Sequence, residues 1–219
     1  MKVTLTSTSL LQGAWYAVEQ AGRLLTSSVT LFEAGDHSTA VALAMFGREE
    51  LGRSRILRRL ADTVANGATV TPDHVRDACD DHAEKQKAGI SSVAMRPDRE
   101  TGLGKLITKT MENPPASKAW QDAEKQLETI TETVVKRMPD DRHQLRMRTI
   151  YVDVKESGSW QRPCTMSREE AHHKITDAVN DYACERDRLS VTQDFPAMAD
   201  ALENMGDPKF SLPPPRWPR

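Results

Sequence analysis

The chain has 219 residues, of which 28% are charged and only 5% aromatic, and its formal net charge is −2 at pH 7. A chain of this length can bury a substantial core. The near-zero net charge excludes a global basic field that would draw the whole protein onto nucleic acid, so any such binding must depend on local patches. The longest apolar run, Ala40 to Phe46, is far shorter than the roughly 20 residues that span a bilayer, and we expect no membrane contact.

Cysteine usage and the first residues bear on the cellular compartment. Three cysteines cannot form an even disulfide framework. The opening segment "MKVTLTSTSLLQG" lacks the sustained apolar core of a signal peptide. We therefore expect a cytoplasmic protein with reduced thiols.

The first two predicted elements are long helices. Apolar residues recur at spacings of three and four over about residues 10–34, as on one face of a helix. Gly35 suits the position after that helix, and Asp36 or Ser38 can cap a second helix that runs to about Ala65.

A third helix and a connection follow. Thr71 as a cap with Pro72 in the first turn predicts a third helix that continues as one element to about Met95. Residues 96–117 mix helix breakers with one short apolar patch, which predicts a long connection with about one helical turn in it.

The second half of the chain begins with a fourth predicted helix, from about Ser117 to Met138, which Pro139 closes. A basic stretch follows it. Alternation of Ile150, Val152 and Val154 with polar neighbours then predicts a small β-like insertion near residues 149–155.

The last elements complete a mostly α fold. "SREE", beginning at Ser167, is a capping box that opens a helix to about Leu189. A short helix is expected near residues 196–205. The proline-rich tail cannot fold alone and should lie extended against the body or be disordered. The predicted organisation is residues 1–95 as the N-terminal helices of a bundle, 96–117 as the connection, 118–205 as the C-terminal helices that complete it, and 206–219 as the tail.

The stretch "RDACDDH" contains the first candidate site, Arg76, Asp77 and His82. Cleavage of RNA by its own 2′-hydroxyl needs a group that moves protons near neutral pH and a cation that neutralises charge on phosphorus, which histidine and arginine supply. Asp77 could orient either residue. In one continuous helix Arg76 and His82 lie about 120° apart, so the pair would act most simply in a dimer of this helix. The alternative is a histidine hydrogen-bonded in a helix interface beside a solvated arginine.

The second helix carries two glutamates, Glu49 and Glu50, in a strongly apolar pattern. One of them should face inward and needs a partner, for which Arg76, His82 and Lys85 are candidates. The pair could orient the catalytic groups. It could equally be a buried ion pair that fixes how two helices dock.

Two basic clusters could bind RNA or could be ordinary charged faces in water. The first comprises Arg48, Arg53, Arg55, Arg58 and Arg59. The second comprises Lys136, Arg137, Arg142, Arg146 and Arg148.

Metal and cofactor chemistry find little support in the sequence. Cys79 and His82 are three residues apart, and His172 and His173 precede Cys184, but no C-x-x-C pair or H-E-x-x-H motif is present. No glycine-rich phosphate loop and no serine nucleophile elbow occur. We expect no metal and no cofactor.

Three segments carry a family resemblance. "EAGDHSTAVALAMFGREELGRSRIL" resembles the helix pair of the abortive-infection V (AbiV) proteins, and "DHAEKQ" resembles the Asp-His-x-x-Lys element that follows. "RTIYVDVKESGSWQRPCTMSREEA" is similar to the Tyr-Val-Asp segment of that family. The matches occur in the family's order over most of residues 10–185.

The resemblance implies a HEPN-like helical bundle and a role in bacterial defence against phage. Many HEPN proteins are dimers with a metal-independent ribonuclease site, Arg-(Asn/Asp/His)-x3–5-His, which Arg76, Asp77 and His82 satisfy. The leading hypothesis is a homodimeric antiphage ribonuclease in which His82 moves protons, Arg76 holds the phosphate, Asp77 and Glu49 or Glu50 orient them, and Lys85 adds positive charge. In this hypothesis Arg53, Arg55, Arg58 and Arg59 contact RNA, and a phage protein is the trigger. The alternative is a non-enzymatic protein that blocks translation or senses a phage protein; an antitoxin-like or nucleotide-binding helper is a third reading.

Overall fold

The computed structural model describes residues 3–90, 103–115, 117–130, 136–191 and 216–219, and these residues form eight helices and one short hairpin. The mostly α fold predicted from the sequence is confirmed. The elements are α1 (Ser7–Glu33), α2 (His37–Ala65), α3 (Pro72–Asp80), α4 (His82–Ile90), α5 (Leu103–Glu112), α6 (Lys118–Ile130), α7 (Met138–Ile150), β1 (Asp153–Val154), β2 (Trp160–Gln161) and α8 (Arg168–Val191).

Helices α1 and α2 form a long αα-hairpin whose ends follow the local signals in the sequence. Thr6 caps α1 by accepting a hydrogen bond from the backbone N–H of Ser9. Gly35 has a φ of 88°, in the left-handed region that favours glycine, and lets the chain turn. Asp36 caps α2 by accepting from the N–H of Thr39 at 3.3 Å. The first two predicted helices and their turn are therefore confirmed.

The core lies where α8 packs against the α1–α2 hairpin. Helix α2 also contacts α4 and α7, so it is the central element of the bundle. Large side chains from all three long helices are fully buried in this core; they include Trp15, Phe32, Met45, Ile175, Tyr182 and Leu189. Each large apolar side chain that is fully buried stabilises the folded state by about 1.5–3 kcal/mol, and together these side chains hold the bundle together.

The third predicted helix is broken at Asp81, so the prediction of one continuous element was wrong. The backbone of Asp81 is extended, with φ −71° and ψ 115°. Its carboxylate accepts from the N–H of Glu84 at 3.2 Å, and its carbonyl oxygen accepts from the N–H of Lys85. Asp81 thus ends α3 and caps α4, because an aspartate side chain competes with helical hydrogen bonding. His82 becomes the first residue of a new helix. The angle between the side chains of Arg76 and His82 can therefore no longer be calculated from the spacing of residues along one helix.

Helices α2 and α4 cross with their backbones in close contact. A Cβ atom placed on Gly52 would lie 1.8 Å from the carbonyl oxygen of Lys85, and one on Gly89 would lie 3.3 Å from the carbonyl oxygen of Arg48. Only glycine permits the approach at Gly52. This crossing sets the distance between the side chains that project from the two helices.

The segment after α4 contains more helix than the sequence suggested. Residues 103–112 form α5, a ten-residue helix packed against α6, where only about one turn was expected. Pro139 begins a helix rather than ending one: it lies in the first turn of α7, followed by the acidic Asp140 and Asp141. The basic stretch is therefore helical from Met138 onward.

The hairpin between α7 and α8 is the small β element, and it is shorter than predicted. Asp153 pairs with Gln161 and Val154 with Trp160 in antiparallel register. The strand starts late because Ile150 still belongs to α7.

The capping box that opens α8 is confirmed. Ser167 accepts from the N–H of Glu170, and the Glu170 carboxylate accepts from the N–H of Ser167. At the C-terminus, Arg216 forms an ion pair with Glu33 of α1 at 3.4 Å. The helix expected near residues 196–205 lies outside the described residues, as does the tail before Arg216. None of the described helices is long and apolar enough to cross a membrane.

Candidate active site

Glu49 of α2 is the inward glutamate of the Glu49–Glu50 pair. The residue is only 2% exposed. One carboxylate oxygen, Oε2, lies 2.7 Å from His82 Nδ1 on α4 and 3.1 Å from Arg146 Nη1 on α7. A single buried carboxylate therefore joins three helices.

His82 is held by this carboxylate through one ring nitrogen. A separation of 2.7 Å from an ionised acceptor requires a proton on Nδ1, which donates to Glu49. Within the described residues the other nitrogen, Nε2, has no hydrogen-bond partner, and the His82 side chain is 42% exposed. Glu49 thus orients the ring from its buried side and leaves Nε2 for the exposed side.

Arg146 is the cation that balances Glu49. It is 4% exposed, and its guanidinium also lies over the Phe46 ring, 4.8 Å from the centroid. Its Nη1 lies 3.2 Å from His82 Nδ1, but both atoms carry protons, so the Glu49 oxygen bridges them. Arg146 is a buried structural partner of the site.

A second histidine, His143, stacks beside His82. The ring centroids are 5.5 Å apart and the ring planes differ by 28°. Arg146 Nη2 lies 3.2 Å from His143 Nδ1. Burial, then the positive charge of Arg146 and the neighbouring His82, lowers the pKa of His143 below its ordinary value.

Gln86, one turn after His82, secures the other carboxylate oxygen. Its amide donates to Glu49 Oε1 at 3.3 Å and to the backbone carbonyl of Met45 at 3.2 Å. Both oxygens of Glu49 are therefore engaged, which fixes the plane of the carboxylate and with it the orientation of His82.

The residues of the "RDACDDH" motif do not come together. Arg76 has a 70% exposed side chain and pairs with Asp73 on its own helix at 3.2 Å. Asp77 is exposed as well. Within the described part of the chain, no hydrogen bond or ion pair joins Arg76 to His82; Arg146 occupies that place instead.

Two further candidates, Glu50 of α2 and Lys85 of α4, are not hydrogen-bonded to His82 within the described residues. Glu50 pairs with Arg53 at 3.5 Å. Burial raises the pKa of Glu50, while the charges of Arg53 and Lys85 oppose the shift. Lys85 is buried, and the described residues contain no hydrogen bond or ion pair from its side chain to His82.

The arginines of α2 are divided between the interior and the surface. Arg55 and Arg58 turn inward and both pair with the buried Glu185 of α8. Arg48 pairs with Asp181 of α8 at 2.7 Å. Only Arg53 and Arg59 remain at the surface as candidate RNA contacts.

The sequence indicated Arg146 only as a member of a basic cluster and did not single out His143, because α7 was not predicted. In hindsight, Pro139 with two acids after it is a helix start. On that helix Arg142 and Arg146 are four apart and both buried, so they share an inward face that a solvated basic stretch would not have.

No group of three or more histidine, cysteine or acidic side chains arranged to hold a metal ion is found among the described residues. Cys79 is buried, and burial raises the pKa of its thiol, so it stays protonated. The Cys79–His82 pair considered as metal ligands is separated by the break at Asp81, and His82 Nδ1 is engaged by Glu49.

The fold is a mostly α-helical bundle in which the buried Glu49–Arg146 pair holds His82. A HEPN family model described as AbiV matches residues 9–183, so the chain belongs to this family and its bundle is HEPN-like. No curated protein and no solved structure matches the chain significantly. Membership places the chain among the abortive-infection proteins of antiphage defence.

Proposed function

We propose that this protein is a metal-independent ribonuclease that arrests growth during infection, with His82 as the general acid and base. The observation that carries the proposal is the orientation of the His82 ring. Glu49 Oε2 lies 2.7 Å from Nδ1, which suits Nδ1–H as the donor, and within the described residues Nε2 has no hydrogen-bond partner. A histidine held in this way can take the proton of a 2′-hydroxyl on Nε2 and return it to the leaving 5′-oxygen.

Glu49 supports this chemistry in the manner of the acid in a catalytic triad. The carboxylate fixes the tautomer of His82 and stabilises the imidazolium that forms when Nε2 takes a proton. Arg146 compensates the charge of Glu49 inside the bundle, since an unpaired buried carboxylate would cost several kcal/mol. Glu49, Arg146 and Gln86 are positioning residues for His82.

The cation that holds the scissile phosphate remains Arg76 in this proposal, and we assign it to the second subunit of a homodimer. Arg146 is unsuited to the task because it is buried and already engaged by Glu49. Arg76 is exposed on α3, and its pairing with Asp73 at the surface is worth little, so it is free to move to a phosphate. A twofold arrangement of two chains would build two equal sites.

Cleavage of mixed RNA by pure protein in excess EDTA tests the proposal. His82→Gln should abolish cleavage, whereas His74→Gln, a matched change at an exposed histidine of α3, should leave it intact. Products should end in 2′,3′-cyclic phosphate. Cleavage that begins only after Mg²⁺ or Zn²⁺ is added would refute the metal-independent mechanism.

An alternative, arrest by binding without catalysis, has one observation in its favour. The β1–β2 hairpin exposes apolar side chains, of which Trp160 is 74% exposed, with Tyr151, Val152 and Val154 nearby in the chain. Exposed apolar clusters of this kind mark interaction sites. In that case growth arrest on expression would survive His82→Gln and fail for Trp160→Ser, and no RNA fragments would appear.

A further inference from the structure

His82 and His143 share an arrangement that the mechanism with one histidine does not use. Each ring has its Nδ1 tied inward, to Glu49 in one case and to Arg146 in the other. Within the described residues neither Nε2 has a hydrogen-bond partner. Both Nδ1 atoms lie 3.2 Å from the guanidinium of Arg146, and the rings are stacked with their centroids 5.5 Å apart, so the two Nε2 atoms belong to one small patch.

The inward partners dictate opposite proton positions. Glu49 is an acceptor, so the proton of His82 is on Nδ1, and Nε2 of the neutral ring carries a lone pair. Arg146 can only donate, so His143 Nδ1 must accept at 3.2 Å, and the proton of His143 is on Nε2. One outward nitrogen therefore accepts a proton and its neighbour donates a hydrogen bond.

The charges on the buried side of the two rings, those of Glu49 and Arg146, are compatible with an anionic ligand. The negative charge of Glu49 is compensated by Arg146 at 3.1 Å, so the ion pair presents no net negative charge to a ligand. Protonation of His82 would add one positive charge next to the His143 donor. A phosphate group offers both an oxygen that accepts a hydrogen bond and oxygens that bear negative charge.

We propose that His82 and His143 together form a two-point site for a phosphate group, in which His143 Nε2–H donates to a phosphoryl oxygen beside the proton-transferring Nε2 of His82. The proposal rests on the proposed ribonuclease function for its substrate, the phosphodiester of RNA. It gives His143 a binding role that is distinct from its role as an acceptor for Arg146.

Two substitutions separate these roles of His143. In His143→Gln the amide nitrogen falls near the position of Nε2 and keeps a donor for phosphate. In His143→Asn the amide oxygen falls near Nδ1 and keeps the acceptor for Arg146, but no donor reaches outward. A structural histidine would tolerate Asn better than Gln, whereas a phosphate-binding histidine would tolerate Gln better than Asn.

The first measurement is the tautomer of each histidine in the full chain, from the ¹⁵N shifts of the imidazole rings. We expect Nδ1–H for His82 and Nε2–H for His143. Titration with inorganic phosphate should then perturb both rings. The same tautomer on both rings, or phosphate perturbing neither, would overturn the proposal.

The second measurement is the affinity for a 2′-O-methyl oligonucleotide, which has the phosphodiester but cannot be cleaved. Loss of a hydrogen bond to a charged group should weaken binding by about tenfold for His143→Asn, and less for His143→Gln. The reverse order would overturn the proposal. If phosphate and oligonucleotide bind as expected while unmodified RNA is never cleaved, the phosphate site stands and the ribonuclease function fails. Binding of inorganic phosphate with no binding of oligonucleotide would support the phosphate site and assign it to a free phosphate ligand.

Discussion

Glu49 and Arg146 are 97 positions apart in the sequence and form an ion pair in which both side chains are almost completely buried. The pair joins α2 to α7, and its Glu49 oxygen also receives His82 from α4. Removing either partner leaves an uncompensated charge in the interior. The geometry of the candidate site and the stability of the bundle therefore depend on the same contact.

Glu49→Ala should lower the free energy of unfolding by about 3–5 kcal/mol, the range for breaking a buried ion pair. Glu50→Ala is the matched control on the same turn of α2, because Glu50 pairs at 3.5 Å with Arg53, whose side chain is 40% exposed. It should cost clearly less than Glu49→Ala, since water reaches this pair. Urea denaturation of both variants and the wild type measures the difference. Equal midpoints for all three proteins would mean that the Glu49–Arg146 pair does not hold the bundle together.

Gly52→Ala should be strongly destabilising because its Cβ would lie 1.8 Å from the Lys85 carbonyl oxygen, so α2 and α4 must separate. Overpacking of this kind costs about 1–3 kcal/mol, and the movement of α4 would also draw His82 away from Glu49. Gly13→Ala in α1 is the control. Its Cβ would meet only a Leu57 methyl at 3.4 Å, and alanine favours the helix by up to about 1 kcal/mol. Thermal unfolding should rank Gly13→Ala at or above the wild type and Gly52→Ala well below it; the opposite ranking would contradict the close crossing.

The sequence predicted those parts of the fold that depend on neighbours in the chain. The caps at Asp36, Thr71 and Ser167 were found because each is a local pairing of a side chain with a backbone N–H three residues on. One of Glu49 and Glu50 was predicted to face inward because both interrupt an apolar repeat, and this pattern indicates burial even when the partner of the charge is unknown. His82 was named as a partner for the same reason, as the polar group on the next helix.

The features that were not predicted depend on contacts between distant residues or on residues that can either end one helix or begin the next. Asp81 can continue a helix or cap a new one, and the close crossing at Gly52 that accompanies the break is invisible in the sequence. Pro139 fits both the end of one helix and the first turn of the next. With α7 unassigned, nothing could bring Arg146 to Glu49, so the candidate partners of the inward glutamate were Arg76, His82 and Lys85 on the next predicted helix.

Lowering the pH from about 7.5 should destabilise the protein in part through His143. Burial and the charge of Arg146 hold the pKa of His143 below its ordinary value near 6.5. The unfolded chain therefore binds this proton first as the pH falls through 6.5, and the free energy of unfolding drops until the lowered pKa is reached. His143→Gln removes this contribution, so the variant should lose less stability than the wild type between pH 7 and the lowered pKa. His74→Gln controls for the loss of one imidazole, and parallel curves for wild type and His143→Gln would contradict the assignment.

Substitution of Arg146, which positions His82 through Glu49, and substitution of Arg76, which holds the phosphate, should have different effects on stability. Arg146→Lys keeps the charge, but a single ammonium cannot reach both Glu49 and His143 as the planar guanidinium does, so stability and activity should fall together. Arg76→Ala lies at an exposed position and should change the free energy of unfolding by no more than about 0.5 kcal/mol, while RNA cleavage is lost. Sedimentation should show that both variants remain dimers.

Mixing two inactive variants decides which chain supplies Arg76. In a dimer of Arg76→Ala with His82→Gln, a site built across the two chains pairs the intact arginine of one with the intact histidine of the other, and the second site carries both changes. Half of the dimers in an equal mixture are mixed, so about a quarter of the wild-type activity should return after subunit exchange. Sites built within one chain would each carry one change, and no activity would return. That result, with Arg76→Ala still inactive alone, would place Arg76 and His82 in the same subunit and end the twofold model of the site.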